Sequence, residues 1–153
     1  MEKLEALKEL KNLIEKYNNT IRYKDKKSIS EETIRTWIND FLYIFGWDVQ
    51  DTTHVLQERV LKDQKIKNNL KSINSTHSKP DYTFIYGNNI KTFLDAKSLD
   101  VNIFTDKDAA FQIRSYGWSA GIPCSFITNF EQFCIFDTRL RPTINASAKT
   151  GVI

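Results

Sequence analysis

Two carboxylates and an amine recur at a spacing that can do chemistry. Lys79-Pro80-Asp81-Tyr82 is followed by Leu94-Asp95-Ala96-Lys97, which puts the two acids fourteen residues apart. That interval suits strand, turn, strand, and Gly87-Asn88-Asn89 supplies the turn signal. Two acids that converge at a strand pair make a site for a hard divalent cation such as Mg²⁺. A lysine beside them can orient or polarise a water for attack. The chemistry expected of this set is metal-dependent hydrolysis of a phosphodiester.

Strand parity sharpens the expectation. Side chains alternate along a strand, so Lys91, Phe93, Asp95 and Lys97 share one face, and Leu94 and Ala96 share the other. Asp81 opens the antiparallel partner strand and falls beside Asp95 at the hairpin's open end. Carboxylates that close raise at least one pKa unless a cation or Lys97 compensates. The plainer alternative is a surface Asp95–Lys97 pair, with Asp81 a turn residue after Pro80.

The elements that must position these residues follow from periodicity. Leu4, Leu7, Leu10, Leu13, Ile14 and Tyr17 predict an amphipathic helix over 2–18, and polar residues 19–29 read as a connector. Ile34, Trp37, Ile38, Phe41, Leu42 and Phe45 form the stripe of a second helix that stops at Gly46. His54 to Leu61 reads as a strand, as do 81–86 and 90–97. Residues 106–120 read as a helix broken by Gly121-Ile122-Pro123. Two more strands follow, 124–128 and 133–136, joined at Asn129-Phe130-Glu131. The order α-α-β-β-β-α-β-β predicts an α/β (α+β) fold: a mixed sheet flanked by helices, with 106–120 as the crossover. There is no internal repeat.

Three further features bear on the site. Gln112 and Tyr116 lie four residues apart on the packed face of helix 106–120, with Ala109, Ile113, Gly117 and Ala120. Gln112 either supports the metal site or is a satisfied core glutamine. Glu31 falls on the apolar stripe of the second helix; it either reaches the site or closes a capping box, Ser28-Ile29-Ser30-Glu31. Glu32 reads as a solvated first-turn acid. Lys62, Lys65, Lys67, Lys71 and Lys79 occupy a polar stretch that is either a solvated loop or a mobile basic loop tracking a phosphate backbone.

Composition narrows the classes. The 153 residues suit one domain, and 41% hydrophobic with 27% charged residues is ordinary for a soluble globular protein. A net charge of +3 permits nucleic-acid binding without demonstrating it. No apolar run approaches the roughly 20 residues needed to span a membrane, and the charged N-terminus is unlike a signal peptide. Cys124 and Cys134 lack CxxC spacing and a nearby histidine. They read as buried, reduced thiols of a cytoplasmic protein rather than as zinc ligands. His54 and His77 belong to no histidine-nuclease pattern, and no phosphate-binding glycine loop is present.

Pro80-Asp81 with Asp95-Ala96-Lys97 resembles the PD-(D/E)xK nuclease signature, and Gln112-Ile113-Arg114-Ser115-Tyr116 is similar to its accessory QxxxY motif. The wider set comprises Ser30-Glu31, Arg35, Gly46-Trp47-Asp48-Val49, Val55-Leu56-Gln57-Glu58, Thr128-Asn129-Phe130-Glu131-Gln132-Phe133 and Phe136-Asp137-Thr138-Arg139. Over roughly 28–140 it resembles the N-terminal cleavage domain of type IIG restriction-modification enzymes and, more distantly, that of type I restriction R subunits. The resemblance implies a restriction-endonuclease-like fold. It implies Mg²⁺, with Mn²⁺ as a substitute, held by Asp81, Asp95 and the Ala96 carbonyl. Lys97 would act on the water, Glu31 would correspond to the acid of the first core helix, and Gln112 and Tyr116 would support the site.

It also implies double-stranded DNA as substrate, with methyltransferase and target-recognition domains downstream. The expected organisation is 1–27 N-terminal helix and connector, 28–140 nuclease core and 141–153 linker, with the chain an N-terminal fragment of a longer enzyme. Cutting both strands needs two active sites or two visits, so dimerisation stays open. The rival readings are a non-cleaving DNA-binding or assembly module that keeps the fold, and a metal-independent interaction domain.

Overall fold

The computed structural model describes residues 1–147; the remainder of the expected linker, 148–153, lies outside the described residues. The elements in chain order are α1 (Lys3–Tyr23), a 3₁₀ turn (Lys26–Ser28), α2 (Glu31–Ile44), β1 (Val55–Gln57), α3 (Gln64–Ser72), β2 (Tyr82–Tyr86), β3 (Asn89–Ala96), α4 (Lys107–Ala120), β4 (Cys124–Thr128) and β5 (Phe133–Asp137).

The five strands form one sheet in the order β1-β2-β3-β4-β5. Every neighbouring pair is antiparallel except β3 and β4, which are parallel. A parallel pair needs a crossover, and α4 supplies it. The β2–β3 turn is two residues long, and Gly87 and Asn88 both take positive φ, 57° and 64°. That is the turn whose twist matches a right-handed hairpin. The register slips by one residue between Phe84 and Ile85, and beyond that slip Tyr82 pairs with Leu94, which sets Asp81 opposite Asp95.

Parity also divides the core. Val55, Tyr82, Phe84, Leu94 and Ala96 pack on Ile34, Trp37, Ile38 and Leu42 of α2. Phe93, Ile127, Cys134 and Phe136 pack on the other face with Ile66 and Leu70 of α3 and Ile113 and Tyr116 of α4. Burying one such large side chain stabilises by about 1.5–3 kcal/mol. α1 adds Leu13 to the first cluster. Tyr17 meets Trp37 edge-on and Phe130 at a tilt, and its hydroxyl bonds Glu131, which pairs with Lys26 at 2.6 Å. The mixed five-stranded sheet flanked by helices is the α/β arrangement expected of a restriction-endonuclease-like fold.

Four local expectations are corrected. Within the stretch expected to be a basic loop, residues 64–72 are helical. Asp63 caps that helix by accepting from the Ile66 amide, and Ile66, Leu70 and Ile73 recur at helical spacing beneath the lysines. β1 is three residues long, not the span from His54 to Leu61, because Glu58 turns left-handed at φ 48°. α1 runs on to Tyr23 through part of the expected connector. The cap of α2 is Ser30, which accepts from the Thr33 amide at 3.2 Å. The capping box Ser28–Glu31 is therefore not formed. Cys134 is buried but Cys124 only half-buried, and both are free. Among the described residues no helix is long and apolar enough to cross a membrane.

α4 is buried on nearly every side, well beyond the one face expected of it, because the sheet, α3 and the segment after β5 enclose it. Gly117 makes this fit: a Cβ there would stand 2.5 Å from Thr138 Cβ. Thr138 is 1% exposed and cannot yield, because its hydroxyl donates to the Ile122 carbonyl and its amide to that of Pro123. Gly117→Ala is accordingly expected to destabilise the chain by about 1–3 kcal/mol through overpacking. A urea-unfolding midpoint equal to that of the unaltered chain would refute this account of the α4 contact.

Candidate active site

The two acids meet where the register puts them. Asp81 precedes β2, and Asp95 is the penultimate residue of β3, a central strand. The Asp81 amide donates to Asp95 Oδ1 at 3.1 Å, and the Ala96 amide donates to Asp81 Oδ2 at 2.8 Å. The two side chains thus lace the open end of the hairpin crosswise. Asp95 is only 1% exposed, and its Oδ2 is buried without a hydrogen-bond partner among the described residues.

Burial sets the electrostatics. It raises the Asp95 carboxyl to a pKa of about 6, with Asp81 adding to the rise and Lys97 opposing it. Asp81 is also raised, by burial first, against the Ala96 amide and Arg35, which favour its ionised form. A buried carboxylate with an oxygen to spare is a demand for a positive partner.

Lys97 lies on the Asp95 face, one residue beyond β3, where the Lys97 amide still donates to the Thr128 carbonyl at 2.9 Å. Its Nζ reaches Gln112 Oε1 at 3.4 Å, and Gln112 Nε2 donates to the Tyr116 hydroxyl at 3.1 Å. The four-residue spacing on α4 therefore forms a chain from the amine to a buried phenol. Burial, then the nearby Asp95, pushes the Tyr116 hydroxyl well above its ordinary pKa, so it stays protonated. Gln112 is half-buried and bonded on both sides of its amide, so it acts as a spacer that fixes the lysine.

Glu31 does not join the two aspartates directly. It is the first residue of α2, half-exposed, and faces Arg35 one turn on at 3.4 Å. Arg35 reaches further, donating to Asp81 Oδ1 at 2.7 Å. Glu58 completes the group, 3.2 Å from Arg35 and 3.9 Å from Lys79. Sequence reasoning gave Arg35 and Glu58 no role. The i,i+4 pairing of Glu31 with Arg35 carried a signal, and so did the position of Glu58 one residue past the strand that pairs with β2.

Could the site hold a metal? Among the described residues no three or more His, Cys, Asp or Glu side chains are grouped to hold one. Asp81 and Asp95 are a pair, not a cage. Mg²⁺ keeps several waters and is commonly held by one or two carboxylates together with substrate phosphates. An Asp95 with one partnerless oxygen, bonded through the other to the Asp81 amide, fits that mode of binding.

A comparison with known proteins bears on this geometry. Over 137 residues, 84% of this chain, it is 35% identical to the type II restriction enzyme and methyltransferase RM.Eco57I of Escherichia coli. This chain is similar to the N-terminal part of a type IIG restriction-modification enzyme. It spans 13% of that relative's length. No family model and no solved structure matches the chain.

The Asp95 carboxyl makes metal-free stability depend on pH. Its folded pKa of about 6 lies above the unfolded value, so its contribution is full below pH ~4 and is lost as pH rises through about 6. Asp95→Asn keeps an acceptor for the Asp81 amide and removes the loss. In a chelator, urea titrations are expected to show this variant about 1–3 kcal/mol more stable than the parent at pH 7.5 and level with it near pH 4. Equal destabilisation at both pH values would sink the assignment.

Proposed function

We propose that this chain is a Mg²⁺-dependent DNA endonuclease domain of a restriction-modification enzyme, with Asp81, Asp95 and the Ala96 carbonyl holding the cation. The observation that carries the reading is the partnerless buried Oδ2 of Asp95, whose other oxygen accepts from the Asp81 amide and which lies two residues before Lys97. A divalent cation bound there supplies charge stabilisation on the phosphate and lowers the pKa of a bound water. Lys97, fixed by Gln112 and Tyr116, orients the attacking water. Glu31 acts at a distance, through its pair with Arg35. Cleavage within residues 28–140, Mn²⁺ as a substitute ion and a cytoplasmic setting belong to the same reading. A methyltransferase and a base-reading region further along the same polypeptide are inferred from the fused relative. Two copies, or two visits by one, would complete a double-strand cut.

Charge and shape support a path for the DNA. A hollow of about 380 Å³ is lined by Lys67, Lys71 and the loop after α3. A second, of about 430 Å³, is lined by Lys97, Gln112 and Asp106. They share Asn74, Thr76 and His77, so one trough leads from the lysines of α3 to Lys97. Lys67 and Lys71 are exposed and have no acidic partner among the described residues. Asp106 and Asp108, which also line the hollow that holds Lys97, repel phosphate. The backbone therefore runs along α3, and bases are read elsewhere in the full enzyme.

Plasmid nicking tests the reaction. With Mg²⁺ or Mn²⁺ the chain is expected to nick DNA without sequence preference, and Asp95→Ala and Lys97→Ala to lose about a hundredfold or more. Equal nicking by all three would end the proposal. Thermal stabilisation by Mn²⁺, present in the parent chain and absent in Asp81→Ala, is expected in parallel. No response to metal in either would favour an interaction domain. A metal response without nicking would favour the non-cleaving module.

Salt dependence tests the trough. Replacing Lys67 and Lys71 by Ala removes about two phosphate contacts. The slope of log affinity against log salt should then fall by about 1.8 in a DNA-binding titration. An unchanged slope would move the DNA off α3.

A further inference from the structure

Three carboxylates from three separate segments converge on one guanidinium at the edge of this site. Arg35 Nη2 donates to Asp81 Oδ1 at 2.7 Å and lies 3.4 Å from Glu31 Oε1, while Nη1 lies 3.2 Å from Glu58 Oε1. The Arg35 side chain is 25% exposed and that of Asp81 16%, so their pair is largely shielded from solvent. Glu31 and Glu58 are each 52% exposed, so the two outer tethers stand at the rim.

This arrangement is more than a structural ion pair requires. One carboxylate neutralises an arginine, whereas this one faces three, with Asp95 beyond them. Glu58 is held there by a backbone that a non-glycine residue seldom adopts, φ 48°, with its amide on the Asp81 carbonyl at 2.9 Å. That turn and its amide bond set the Glu58 carboxylate beside Arg35. The local charge thus stays negative even with Arg35 in place. The oxygen that Arg35 occupies, Asp81 Oδ1, is one that a cation between Asp81 and Asp95 would use. A guanidinium and a doubly charged ion on one carboxylate oxygen repel strongly in this partly buried setting.

We propose that Arg35 is a counter-ion switch: it neutralises Asp81 in the metal-free chain, yields Asp81 to the cation, and then donates to a DNA phosphate while still tethered by Glu31 and Glu58. The proposal rests on the reading of Asp81 and Asp95 as a cation site. In it Arg35 first competes with the metal and then, once displaced, assists DNA. The same side chain therefore acts with opposite sign on two ligands, which a purely structural arginine does not.

Two titrations separate these roles. Mn²⁺ binding to the DNA-free chain, followed by calorimetry, should tighten about tenfold in Arg35→Gln. Arg35→Lys keeps the charge but loses the fork, and should tighten only two- to threefold. In a Lys97→Ala background, which keeps the DNA whole, the Mn²⁺-loaded Arg35→Gln chain should bind duplex DNA about tenfold more weakly than its Arg35 parent. Mn²⁺ affinity unchanged or weakened in both Arg35 variants overturns the switch, as does DNA affinity unchanged in the loaded chain. If Arg35→Gln does not fold, as judged by circular dichroism, the Arg35→Lys titration decides alone. Failure of the underlying reading looks different: the unaltered chain then binds no Mn²⁺, and the switch falls with the site.

Discussion

A carboxylate sealed within a sheet is the constraint around which this structure is arranged. Asp95 is 1% exposed, sits on the third of five strands, and has one oxygen with no donor. An unsatisfied buried acceptor costs about 1–3 kcal/mol, and more when charged. That position needs neighbours on every side. β2 must pair in a register that brings the Asp81 amide to Oδ1, β4 must run parallel to bury the other flank, and a helix must cover the face. α4 can lie close enough because residue 117 has no side chain to strike Thr138.

The surroundings of that carboxylate are graded in charge. The helix side offers an amine, an amide and a phenol in sequence, Lys97, Gln112 and Tyr116. The α2 side offers an arginine shared among acids. Beyond them one hollow is lined by Lys67 and Lys71, and the hollow adjoining it by Lys97, Asp106 and Asp108. Two apolar clusters, one on each face of the sheet, flank these polar groups, and Tyr116 belongs to one of them. Packing on both faces supplies the stability against which a destabilising site can be held.

Most of this was legible where a period was clean. Alternation in Leu94-Asp95-Ala96-Lys97 and the Gly87-Asn88-Asn89 turn signal pointed to which side chains meet, although the chain reaches that pairing by a two-residue turn and a register slip at Phe84/Ile85. Spacing on α4 put Gln112 and Tyr116 on one packed face, and the structure adds the contact of Gln112 with Lys97. The failures came where local chemistry overrode composition. Five lysines drew the eye from Ile66, Leu70 and Ile73, which make the segment over 64–72 an amphipathic helix. Ser28 and Ser30 are interchangeable as cap residues by type, and only geometry chose Ser30. Arg35 and Glu58 were invisible as a pair because they meet through tertiary contact across 23 residues of sequence.

The Gly87-Asn88 turn bears on how the molecule can be handled. Asp81 and Asp95 lie at the open end of the β2–β3 hairpin, so its tip is at the opposite end of the same two strands. Residues 86–89 are exposed, and both turn residues already take left-handed backbone. Exposed tips of this kind accept insertions and new chain ends. A fluorophore, an affinity tag or a pair of permuted termini placed there would report on the chain from a full strand length away from Asp95. The hairpin that builds the site thereby also provides the point from which it can be watched undisturbed.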